Sequence, residues 1–253
     1  IEVCRCGICG SDLHLTEDAI FGVPGGTVLG HEYAGRVAAI GKGVDRVKVG
    51  DHVAMIPLHS CGRCVHCLKG EYAWCSIMRV DGGGYGEYSL GFQHQCVQLP
   101  KTVSLDDGAL VEPMAVGLHG VRLAQSQPGD RVLVIGAGPI GLATAYWARR
   151  LGAGRIAVTA GSTRRASLAL TMGADVFLDP ADASPEAAIR ALGGMPDVVY
   201  ECVGVPGMIA RGIDYVRPRG TVVVLGLCTR EDHFMPFTLV SKEARLQASA
   251  FYD

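Results

Sequence analysis

Four cysteines crowd residues 61–75, CGRCVHCLKGEYAWC, at the spacing C-x2-C-x2-C-x7-C set by Cys61, Cys64, Cys67 and Cys75. A single loop can fold that spacing so that four thiolates meet at one tetrahedral zinc. Four sulfur ligands fill the coordination sphere and leave no place for water or substrate, so the chemistry on offer is structural, the holding of a long loop in shape. Iron–sulfur ligation, a pair of disulfides and four unrelated thiols compete for the same spacing.

A second set of side chains mixes donor types. Cys9, Ser11, Asp12 and His14 lie in CGICGSDLH, His31 and Glu32 in LGHEYAG, and Glu112 in LVEPMAVG. A reactive metal needs fewer protein ligands than a structural one and an open position, and mixed sulfur, nitrogen and oxygen donors suit it. Spacing does not bring the three segments together, and a His or Glu in a β-rich domain is ordinarily a hydrogen-bonded structural residue.

The third signal is Gly136, Gly138 and Gly141 in VIGAGPIGLA, with Pro139 and Ile140 between the last two glycines. This GxGxxG follows an apolar strand and opens a helix, where glycines let the backbone approach a pyrophosphate over the helix N-terminus. An NAD site would place Asp or Glu about 20 residues on. Here that strand ends VTAGSTRR: Thr159, Ala160 and Gly161 carry no carboxylate, while Ser162, Arg164 and Arg165 offer a hydroxyl and two guanidiniums to a 2′-phosphate. NADP is therefore favoured over NAD, against the plainer reading that the arginines begin a solvated helix.

The elements that must position these groups differ along the chain. Residues 1 to about 115 are glycine-rich, with short apolar runs such as GRVAAIG and DHVAMI between turn signals, the texture of an irregular β domain. From Pro128 on, strands alternate with helical stretches: RVLVIGAG, RIAVTA, DVFLD, DVVYECVG, TVVVLGL and RLQASAFY count as six strands of a parallel sheet. The linker is expected around Leu118 to Gly129.

The 253 residues, 49% hydrophobic, can bury a large core, and a net charge of -2 supplies no basic footprint for nucleic acid. No apolar run approaches the roughly 18 residues a membrane span needs, so a soluble protein is expected. Ten cysteines in a chain with so large a core suit cytosolic thiols and metal ligands better than disulfides, and the cytoplasm is the expected location. The chain opens on Ile1 as a strand already under way and stops at Asp253 just after the sixth strand, so truncation at both ends is expected.

In this order, GICGSDLH, GHEYAGRV, VGDHV, CGRCVHCLKGEYAWC, VEPMAVGLHG and VIGAGPIGLA closely resemble the zinc-containing medium-chain alcohol dehydrogenases, over nearly the whole chain. Glu112 stands in VEP where the animal liver enzymes have cysteine, which makes the resemblance strongest to the sorbitol (L-iditol) and threonine dehydrogenases. The implied fold class is α/β: a Rossmann-type doubly wound parallel sheet (118–253) plus an irregular β, GroES-like catalytic domain (1–117), with the active site in the cleft. The resemblance implies one catalytic and one structural zinc. Cys9 and His31 would be ligands of the catalytic zinc, with Glu32 and Glu112 supplying the remaining carboxylate contact directly or through water. Ser11 would pass the substrate proton, His14 would lie further along that relay, and Asp12 would orient the His31 imidazole.

The implied reaction moves hydride between NAD(P) and a secondary alcohol, polyol or amino alcohol, on a small-molecule alcohol or ketone, in a homodimer or homotetramer with RLQASAFY as the candidate edge. Leu15 replaces the aromatic residue that usually follows CGSDxH in the sorbitol branch. Phe234, Phe237 and Phe251 are expected near the cleft, with Phe237 assigned to the core. Two other classes compete: a non-catalytic zinc-binding interaction protein and a catalytically incomplete family member.

Overall fold

The computed structural model describes residues 1–17 and 22–252, so Asp253 lies outside it. The chain forms two compact units, residues 1–115 with Tyr252, and residues 116–251.

The first unit contains β1 (Glu2–Cys6), α1 (Gly10–Glu17), β2 (Tyr33–Arg36), β3 (His52–Met55), β4 (Leu58–His59), α2 (Val65–Leu68), β5 (Arg79–Val80), β6 (Cys96–Gln98), α3 (Leu105–Gly108) and the start of α4 (Val111–Leu123). Its main sheet runs β1-β2-β3-β6, antiparallel throughout, and β4 pairs separately with β5. Alternation aims Tyr33, Val53 and Met55 into one core with Val37 and Val47. The strands are short because turns interrupt them every few residues, and those irregular connections carry the chemically interesting side chains. The pairing of β1 with β2 shifts register between Val3 and Arg5, a bulge just ahead of the turn into Cys9.

The second unit contains the rest of α4, then β7 (Arg131–Ile135), α5 (Pro139–Arg150), β8 (Arg155–Thr159), α6 (Ala166–Thr171), β9 (Val176–Leu178), α7 (Pro185–Leu192), β10 (Val198–Glu201), α8 (Met208–Tyr215), β11 (Thr221–Val224), α9 (Pro236–Ser241) and β12 (Arg245–Ala248). Six parallel strands in the order β12-β11-β10-β7-β8-β9 form a doubly wound sheet. Both faces are buried and the side chains sort by period two. Val132, Val134, Ile156, Val158 and Tyr200 meet α5 on one face, while Leu133, Ile135, Ala157 and Val199 meet α7 and α8 on the other. Each fully buried valine of this kind contributes roughly 1.5–3 kcal/mol.

Helix ends follow the local sequence. In SPEAAIRALG the Ser184 hydroxyl accepts from the Ala187 amide, Pro185 takes the first turn, and Gly193 ends α7 at φ 69°.

Two expectations are corrected. Residues 118–123 are not linker but the end of α4, because Val121 and the adjoining Ala124 are buried in the sheet's core, and Gly117 and Gly120 let the helix approach Ala143 and Leu225 closely. Phe237 is not core: on α9 it is 70% exposed, whereas Phe234 packs against the second sheet-face cluster.

Candidate active site and dinucleotide pocket

In the first unit, the turn after β1 delivers Cys9, and the loop before β2 delivers His31 and Glu32. One ligand atom from each, all within 4.8 Å of one another, forms a group that can hold a metal ion. His31 and Glu32 are buried. Gly7 lies directly under Glu32, where a Cβ would collide with the carboxylate oxygen, so a side chain there would displace Glu32 from its place beside Cys9 and His31.

Burial dominates the electrostatics. It pushes the Cys9 thiol up to about 11 against a hydrogen bond from the Ser11 side chain, and it also raises Glu32 above its usual range. Glu112, from the first turn of α4, is buried and pushed up to about 7, with His31 pulling it down and Glu32 and Asp12 pushing it up. Glu112 therefore shares the field of His31 and Glu32 but is outside the three-residue ligand group, and it hydrogen-bonds Tyr252.

Asp12, on α1, accepts the Cys9 amide at 3.0 Å and the Gly30 amide at 3.3 Å, and lies 3.4 Å from His31 Nδ1. It thus ties the two ligand-bearing turns together through the backbone as well as through the imidazole. Ser11 and His14 sit on the same helix, both half-buried.

The four-cysteine loop is a second group within the same 4.8 Å limit. The Cys64 amide points at Cys61 Sγ and the Cys61 amide at Cys75 Sγ, each at 3.3 Å. Amide donors from Arg63 and Cys64 hold Cys61 down to about 6, which favours the thiolate a metal requires at that position, and Cys67 is lowered as well, whereas Cys64 is raised. All ten cysteines are unpaired, and the four sulfurs of the loop converge on one point as a ligand group. Both donor sets fit zinc: four thiolates in one, and thiolate, imidazole and carboxylate in the other.

In the second unit, a pocket of about 400 Å³ is lined by Gly136, Ala137, Gly138, Ala160, Gly161, Ser162, Arg164, Arg165, Cys202 and Val203. Gly141 lies so close to the Gly136 carbonyl that no side chain fits, which draws α5 tight against β7, while Gly138 faces open space. Pro139 and Ile140 do not line the pocket; Pro139 forms the first residue of α5. Arg165 donates to the Ala137 carbonyl at 3.2 Å, bracing the glycine turn.

Residues 1–101 match the family described as alcohol dehydrogenase GroES-like domain, and residues 139–253 match zinc-binding dehydrogenase. The chain is 36% identical to the "Probable D-xylulose reductase A" of Aspergillus clavatus, over 100% of this chain and 74% of that one. It is 35% identical to the sorbitol dehydrogenase of Bacillus subtilis, over 92% of this chain and 69% of that one. The chain belongs to the zinc-binding medium-chain dehydrogenases. A solved zinc-binding dehydrogenase from Sinorhizobium meliloti, bound to NADP, superposes on this dehydrogenase with a TM-score of 0.87 at 32% identity, over 99% of this chain and 76% of that one.

As a family member the dehydrogenase is an NAD(P)-binding oxidoreductase with a structural four-cysteine site and a Cys/His/Glu site. Among its described residues, no helix is long and apolar enough to cross a membrane. Sequence reasoning missed Tyr85, which donates to Asp12 at 2.7 Å, and Tyr252 beside Glu112. The one signal for Tyr85 was its place among glycines in DGGGYGEY.

Proposed function

We propose that the dehydrogenase interconverts a polyol or related secondary alcohol and its ketone, with NADP favoured over NAD. The observation that carries this reading is the convergence of Cys9, His31 and Glu32 on one point in a chain whose relatives include a sorbitol dehydrogenase and a D-xylulose reductase. In this reading Cys9, His31 and Glu32 hold the catalytic zinc and Glu112 is the alternative carboxylate contact. Bound there, zinc supplies Lewis acidity that makes an alcohol easier to ionise near neutral pH.

Ser11 Oγ takes the substrate proton, and His14 carries it onward. Asp12 holds the His31 ring through Nδ1, fixing its tautomer for ligation. Glu112, near neutrality in its own titration, offers a second place for a proton close to the ligands. Cys61, Cys64, Cys67 and Cys75 hold the structural zinc and keep their loop in shape.

The nicotinamide cofactor, when bound, supplies the hydride acceptor. Gly136, Gly138, Pro139, Ile140 and Gly141 form the turn and helix start that would hold its pyrophosphate, and Ala160 and Ser162 would hold its adenosine ribose. Arg164 and Arg165 supply positive charge for a 2′-phosphate, in support of which no carboxylate lines the pocket. We assign residues 1–117 to the catalytic domain and 118–253 to the dinucleotide-binding domain. A homodimer or homotetramer in the cytoplasm accords with the family and with ten unpaired cysteines.

The test is zinc stoichiometry of the purified chain, coupled to oxidation of sorbitol and reduction of D-xylulose with either cofactor. Two zincs per chain, polyol turnover and tighter NADPH than NADH binding are expected. One zinc and no turnover would overturn the catalytic reading, and equal cofactor binding would overturn the NADP preference.

A further inference from the structure

The two oxygens of Asp12 are used unequally. Oδ2 takes the close donors, the Tyr85 hydroxyl at 2.7 Å and the Cys9 amide at 3.0 Å; Oδ1 takes the longer ones, the Gly30 amide at 3.3 Å and His31 Nδ1 at 3.4 Å. We infer that Tyr85 is a positioning residue for the Cys9/His31/Glu32 centre, its hydroxyl pinning one oxygen of Asp12 so that the other stays aimed at His31. This rests on the reading of that centre as the catalytic zinc site.

The placement of Tyr85 is built in by the backbone. The Gly83 and Tyr85 amides donate to the Leu29 carbonyl at 3.2 and 3.1 Å, and the Gly84 amide to the Gly30 carbonyl at 2.8 Å, so the tyrosine's loop is stitched to the segment leading into His31. Gly30 has φ +85°, and a Cβ there would come within 2.6 Å of the Tyr85 ring. Glycine at 30 thus admits both the backbone turn and the aromatic ring.

Tyr85 is 46% exposed, so burial alone does not explain an aromatic residue here, and the group that distinguishes Tyr from Phe is the one touching the buried carboxylate. Burial, helped by Asp12, raises the phenol's pKa, which keeps the hydroxyl a donor. A charge-assisted hydrogen bond of this length is among the stronger contacts a neutral donor makes. Without it Asp12 keeps its amide donors but loses its closest anchor, and the imidazole it orients gains freedom.

The experiment is release of zinc from the purified holo chain to the chromogenic chelator 4-(2-pyridylazo)resorcinol, comparing wild type, Tyr85→Phe and Tyr85→Leu, each with and without Asp12→Asn. Tyr85→Phe is expected to release one of the two zincs roughly 10-fold faster, the lower end of the effect of substituting a residue that orients a metal ligand, and to leave the other zinc unchanged. Tyr85→Leu should match it, and in the Asp12→Asn background neither should add a further effect.

Release at the wild-type rate from Tyr85→Phe, or acceleration by Tyr85→Leu alone, would assign the effect to ring packing and overturn the inference. Equal loosening of both zincs, or full additivity with Asp12→Asn, would overturn it as well. A wild-type chain holding only the four-cysteine zinc would instead overturn the reading of the Cys9 centre, and this inference with it.

Discussion

The four-cysteine loop and the Cys9/His31/Glu32 centre both gather metal donors within the same span, yet they arrive there in opposite ways. The loop is a local object: residues 61–75 contain every donor and also the amides that point at the sulfurs. Amide donors, joined by the neighbouring sulfurs, hold Cys61 down to about 6, while Cys64 in the same loop is raised. The other centre draws on the turn after β1 and the loop before β2, with Glu112 nearby on α4, and burial pushes Cys9 up to about 11. A local site is readied by its own main chain, whereas a dispersed site depends on the fold and on an intermediary such as Asp12 that links its turns.

The sharpest way to break this contrast is to remove one ligand from each site. Cys9→Ser is expected to lower turnover about a thousandfold, corresponding to the several kcal/mol a Lewis acid contributes, with NADPH affinity and the four-cysteine zinc unchanged. Full activity in that variant would take Cys9 out of the chemistry. Cys64→Ser should act the other way, lowering Tm by at least about 5 °C, with activity lost only as the chain unfolds; calorimetry alongside residual activity separates the two.

Thiol labelling sharpens the electrostatic half of the comparison. In the metal-free chain, Cys61 is already ionised above about pH 6, whereas Cys9 gains thiolate all the way toward about 11. Raising the pH from about 7 to about 9 should therefore speed iodoacetamide labelling of Cys9 by roughly tenfold per pH unit and leave Cys61 almost unchanged. Peptide mass spectrometry reads both sites at once, and parallel pH profiles would erase the distinction. A smaller effect tests another local motif, the glycine-turn pocket: Arg164→Ala should reduce the NADPH-over-NADH binding ratio by about tenfold or less, the scale of one lost charge-assisted contact.

The same division decided what the sequence could reveal. The parallel sheet was legible because its strands are buried on both faces and its helices carry their own start and stop signals, as Ser184 and Gly193 do for α7. The cysteine spacing and the glycine turn were legible for the same reason, since each is complete within one short segment. That Cys9, His31 and Glu32 meet was invisible to spacing and entered only as an implication of family resemblance. Tyr85 escaped both routes, because its link to Asp12 depends on how a glycine-rich loop is laid against Leu29 and Gly30. The linker expected around Leu118 to Gly129 was misplaced at its start, where residues 118–123 complete α4 and pack against the sheet. Phe237 was placed inside on hydrophobicity, but α9 turns it outward.

The strict sorting of strand residues between the two sheet faces sets how the gene can vary. One extra codon within β10 would exchange Val199 and Tyr200 between the two helical layers, a swap of unequal volumes in two fully packed compartments at once. An extra codon between Asp179 and Ser184, outside any strand, changes no strand's parity. Insertions and deletions recovered by selection should therefore concentrate between the elements of the second unit, leaving its six strands as a fixed-length frame through which sequence drifts only by substitution.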